Sequence, residues 1–158
     1  MERKKNFFDK IGRLLPGYKG YTTREEKRNT DKKLRDILSG KIANSEKEVI
    51  SHQQHLISKK DLKSCEEWEI ARKILNTLQS KIKFVPYGES SFFSENQLKE
   101  MELDQIYEMD LNISESIDAL CTMIESQINS SSPPKLNQLI KNIENLMQGR
   151  SQFIQKFK

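Results

Sequence analysis

The chain has little of what usually staples or breaks a small fold. Among its 158 residues are two cysteines, four prolines, six glycines, one tryptophan and two valines. Cys65 and Cys121 each fall inside an apolar helical pattern, where a buried free thiol is expected rather than a disulfide. Valine is scarce beside sixteen isoleucines and fifteen leucines, and long stretches of Lys, Glu, Gln and Leu run without Gly or Pro. This composition favours helices and leaves no convincing strand. No apolar run approaches the roughly 18 residues that span a bilayer, and the first residues lack the apolar core of a signal peptide. A soluble, cytoplasmic protein is the expectation.

Chemical motifs are equally scarce. There is no glycine-rich phosphate loop, no Gly-x-Ser-x-Gly elbow and no Cys-x-x-Cys pair. Glu66, Glu67 and Glu69 surround Trp68, but neighbouring carboxylates on a helix point in different directions and read as a wet surface. His52 and His55 stand one turn apart with Glu48 four residues before His52, a spacing that can put three metal ligands on one face. The paired Glu-x-x-His motifs of di-iron bundles are absent, and two histidines on a polar stretch read as solvated. The sequence therefore predicts no catalysis, cofactor, metal or small-molecule substrate.

What is present suffices to fold. Hydrophobic residues make up only 35% of the chain and the mean hydropathy is -0.76. Yet Leu, Ile, Val and Phe together are about a quarter of it, above the roughly 20% below which disorder is expected. A compact domain of this length forms one core and buries roughly 70% of its unfolded surface.

Glycine and proline cluster at residues 16–20, 86–88 and 133–134 and so divide the chain. Phe7, Phe8, Ile11, Leu14 and Leu15 recur at helical spacing, with Arg3, Lys4, Lys5, Lys10 and Arg13 around them, and Pro16-Gly17 stops this short basic amphipathic helix. Thr22 or Thr23, with Glu25 or Glu26, caps a second helix that reaches about Lys60; Ser39-Gly40 is where it would kink or split. Its apolar positions include Leu34, Ile37, Leu38, Ile42, Val49, Ile50, Leu56 and Ile57.

Asp61 caps a third helix ending near Phe84, with Leu62, Cys65, Trp68, Ala71, Leu75, Leu78 and Ile82 on a heptad-like seam. Ser94 with Gln97 starts a fourth from about Glu95 to Ser130, its apolar positions running from Leu98 and Met101 onward. Pro133 or Pro134 opens the last helix, which runs to the terminus. Short connections make helices two and three, and four and five, antiparallel neighbours. The predicted fold is all-α: an elongated antiparallel bundle of four main helices over residues 23–158, preceded at residues 1–22 by the short N-terminal helix and a hinge loop. Pro16, Gly17, Tyr18, Gly20 and Tyr21 form that hinge, the two tyrosines folding back to set the angle of the first helix.

Charge is strongly polarised along the chain. Residues 1–35 carry a net +7, residues 94–134 a net -8 and residues 135–158 a net +4, within a total of +4. This suggests charge complementarity within or between chains before it suggests nucleic acid. Arg24, Lys27, Arg28, Lys32, Lys33 and Arg35 are interleaved with Glu25, Glu26, Asp31 and Asp36, so the run reads as a charged, solvated helix start.

The strongest functional hint is the first helix. Phe7, Phe8, Ile11, Leu14 and Leu15, with Lys4, Lys5, Lys10 and Arg13, predict a docking element of a non-enzymatic interaction module. It would bind a protein partner or a second copy, meeting an acidic surface such as residues 95–125. A second reading lays the helix on an anionic membrane surface, making the protein membrane-peripheral; a third is a small nucleic-acid-binding regulator. The plainest reading packs the helix on its own bundle with its charges in water.

Overall fold

Runs of good helix formers between turn signals become five helices, with no strand among the described residues. The computed structural model describes residues 9–17, 24–84 and 99–156. Helix α1 covers residues 9–14, α2 Arg24–Ser58, α3 Leu62–Lys83, α4 Glu100–Gln127 and α5 Asn137–Gln155. The chain is thus an all-α helical bundle.

Helix α2 runs through Gly40 without a break, 35 residues or about 50 Å long. Leu38 and Ile42, buried on either side of Gly40, anchor both halves to one core, which outweighs the roughly 1 kcal/mol a mid-helix glycine costs. The helix ends in a hydrogen-bonded cap: Lys60 takes a left-handed φ of 61°, its N–H donates to Ile57 O at 2.9 Å and that of Asp61 to Leu56 O at 3.0 Å. Asp61 then caps α3 as its sequence position predicts. Its carboxylate accepts from the Ser64 N–H at 3.2 Å and from Ser64 Oγ at 2.7 Å.

Two helix starts differ from the sequence expectation. Helix α4 begins at Glu100 and not near Glu95, because Lys99 is extended and its N–H donates to Glu102 Oε2 at 2.7 Å. Ser94 and Gln97, like Thr22 and Thr23, lie outside the described residues. Helix α5 begins at Asn137, after both prolines; Pro134 and Leu136 are buried in the connection, covering the core instead of opening the helix.

The helices form a ring in the order α3, α2, α4, α5. The α2–α3 and α4–α5 pairs pack closely and antiparallel, α2 and α4 run parallel, and the α3–α5 side is more open than these three contacts. Lys41 Nζ to Asp118 Oδ1 at 2.6 Å joins α2 to α4, and Lys81 Nζ to Glu144 Oε1 at 2.5 Å reaches across from α3 to α5.

Trp68, Ala71, Leu75, Leu78 and Ile82 are buried along the α3 seam, facing buried stripes of α2, α4 and α5. Several expected apolar positions instead meet solvent. Leu62 is 63% exposed and Met101 78%, since each is at or near the first residue of its helix, past the last core layer. Ile50 and Ile57 are exposed on the outer side of α2.

Polar groups fasten both ends of the bundle. At one end the Trp68 indole N–H donates to Ser130 O at 3.2 Å, and His52 Nε2 stands 3.2 Å from the same carbonyl with its ring edge-on to Trp68. At the other end Arg150 of α5 is 2% exposed between two carboxylates. Its Nε donates to Asp110 Oδ1 of α4 at 2.6 Å and its Nη2 to Asp31 Oδ1 of α2 at 2.8 Å. Arg35 donates from Nε to Asp31 Oδ2 at 2.9 Å and from Nη1 to Ile82 O of α3 at 3.1 Å. One ionic network therefore touches all four main helices. The reading of this stretch as a solvated helix start is corrected for Asp31 and Arg35, which are buried because they share the inward face of α2 with Leu34 and Leu38.

Removing one member of such a network leaves a buried charge uncompensated. Arg150→Met is expected to lower unfolding free energy by about 3–5 kcal/mol, read from urea denaturation. Burial alone would raise the Asp31 carboxyl, but Arg150 and Arg35 more than offset it and hold it below its ordinary value of 3.8. The stabilisation from this depressed value is complete above the unfolded-state value and is lost as pH falls through the folded one. Below about pH 4, the stability of Asp31→Asn should fall less steeply with acid than that of the parent, as followed by circular dichroism.

Candidate functional site

The docking residues expected in the first helix divide in the structure. Ile11 and Leu15 are 0% and 1% exposed within the bundle core, and Leu14 is half-buried against it. Lys10 and Arg13 stay at the surface, Lys10 Nζ pairing with Glu115 Oε1 of α4 at 2.5 Å. Pro16 and Gly17 make a turn in which Gly17 has φ +82°, and a Cβ there would run into the Lys33 ammonium. Lys4, Lys5, Phe7, Phe8, Tyr18, Gly20 and Tyr21 lie outside the described residues, as do the side chains of residues 24–28.

The basic front of the chain thus meets the acidic helix on the same molecule through Lys10–Glu115, and Lys41, farther along α2, pairs with Asp118. A partner or a lipid surface can reach Ile11 and Leu15 only after this segment leaves the bundle.

The candidate metal ligands also part. His52 is 8% exposed and faces Ser130 O, whereas His55 and Glu48 are exposed. They line a shallow polar depression of about 480 Å³ with Ser51 and Glu125. Among the described residues no group of three or more His, Cys, Asp or Glu side chains is placed to hold a metal ion. Cys65 and Cys121 are free thiols, half-buried instead of fully buried, and burial pushes the Cys121 thiol above its ordinary value. Glu69 belongs to the α2–α3 seam: hydrogen bonds from Arg72 and then Gln53 bring its carboxyl down to about 2, while Arg72 also reaches Glu46 at 2.8 Å.

The apolar opening lies elsewhere, on the α3–α5 side of the ring. Two adjoining depressions of about 530 and 580 Å³ share Ile74 and Asn137. Ala71, Leu78, Leu136 and Ile140 are buried beneath them, Ile74 is half-buried, and Ile70 is 63% exposed at the lip. Lys73 on one wall and Lys135 and Lys141 on the other are exposed. The two carboxylates at the rim are engaged, Glu144 by Lys81 and Glu67 by Ser132 Oγ at 2.7 Å.

Sequence reasoning missed this face. Ile70 and Ile74 form a second stripe four residues apart, beside the seam of α3; a helix with two apolar stripes needs two neighbours. That signal was available, but which stripe would be covered was not.

If α1 is an integral part of the core, Ile11→Ala should cost about 2–5 kcal/mol of stability in urea denaturation. A helix held free for docking would leave the midpoint unchanged. No family model, curated protein or solved structure matches the chain.

Proposed function

We propose that the chain is a non-enzymatic helical interaction module that binds another protein through the open α3–α5 side of its bundle. The observation supporting this is the apolar opening there, with Ile70 largely in solvent above Ile74 and Ile140. Exposed apolar surface bounded by charged side chains is the usual composition of a protein contact site. The reading moves the docking role away from α1, whose inward residues Ile11 and Leu15 are already occupied by the core.

A photoreactive amino acid placed at Ile70, compared with one at exposed Lys47 on α2, tests the reading in living cells. Discrete protein adducts are expected from position 70 and not from position 47. Equal adduct patterns from both positions, or none from position 70, would refute it.

A further inference from the structure

We infer that the α3–α5 groove receives an acidic amphipathic helix of about three turns from a partner protein; this rests on the proposal that the groove is a docking site. The wall from Glu67 to Leu78 of α3 lines it continuously, a length of about 16 Å, which matches about 11 residues of helix. Such a helix presents one apolar stripe to Ile70, Ile74 and Ile140, and its two flanks then lie over the two walls.

The walls select the charge of those flanks. Lys73 stands on the α3 side, Lys135 and Lys141 on the α5 side, and none of the three makes an ion pair among the described residues. The nearest carboxylates are engaged mainly by other groups, although the Lys73 charge also acts on Glu69, as the smallest of several influences. Glu69 is held by Arg72 and Gln53, Glu144 by Lys81, and Glu67 accepts from Ser132. Carboxylates on both flanks of the incoming helix therefore find exposed ammonium groups outside any ion pair of the described residues, whereas lysines there would meet like charge. The apolar contact supplies most of the affinity, and the rim charges supply orientation and selectivity.

Two labelled synthetic peptides of about 12 residues serve as probes, with identical leucine stripes at i, i+3, i+4 and i+7 and either Glu or Lys on the flanks. In fluorescence anisotropy the Glu peptide should bind the full-length chain roughly tenfold more tightly than the Lys peptide, and added salt should narrow the gap. The double variant Lys73→Glu, Lys141→Glu should reverse the preference, and Ile70→Glu should weaken both peptides roughly tenfold. All three positions are exposed or half in solvent, so unchanged thermal melts will show that the variants remain folded.

Equal or tighter binding of the Lys peptide overturns the acidic helix as the occupant. If adducts still form at position 70 in that case, the docking site itself stands. Absence of both peptide binding and adducts overturns both. A dimer mass in light scattering that Ile70→Glu returns to the monomer overturns the partner helix in favour of a second copy.

Discussion

The bundle depends on one buried guanidinium. Arg150 sits between Asp31 of α2 and Asp110 of α4, and Arg35 extends the same network to the backbone of α3. Apolar stripes of Ile and Leu tolerate small slides and rotations of one helix on another, since every position along them is similar. A desolvated ion pair does not, because a slide of one residue leaves a charge without its partner. The network therefore sets the register of the four helices. Its counterpart at the other end is the Ser130 carbonyl, shared by Trp68 and His52. With two polar fixings about 30 Å apart along α2, the hydrophobic seam between them has one alignment available.

Part of the charge polarisation along the chain is satisfied within the molecule. The basic front and the acidic helix complement one another on one molecule, and the segment carrying Lys10 is drawn down by Ile11 and Leu15 as well as by Glu115. Exposed ion pairs of this kind contribute little each, typically below about 1 kcal/mol, so the apolar anchors do most of the holding. The net charge of a segment is thus a poor guide to its partners when a complementary segment lies within the same chain.

The open side of the bundle follows from the same geometry. Helix α2 packs closely on both α3 and α4, and α5 packs on α4 while Arg150 ties its far end toward α2. Among the described residues nothing comparable pulls α5 against α3, where the surface pair Lys81–Glu144 spans the gap. Ile70 and Ile74 are left with only partial cover, on the side of the ring opposite the α2–α4 contact.

Much of the fold was legible from spacing alone: the helix count, the break at Pro16-Gly17, the Asp61 cap and the buried seam of α3 all follow from local rules. The ionic network was legible in part. Asp110 lies at the stripe position between Ile106 and Ile113, and Arg150 lies between Met147 and Ile154, so both charges occupy core registers of their helices. Nothing local, however, says that Arg150 meets Asp110, 40 positions away, and Asp31, 119 positions away, because that is decided by which helices become neighbours. The same holds for the first helix and for the groove. Sequence by itself determined which faces are apolar; only tertiary packing decided that Ile11 and Leu15 are covered and Ile70 is not, since burial depends on the far element that arrives and not on the stripe that awaits it.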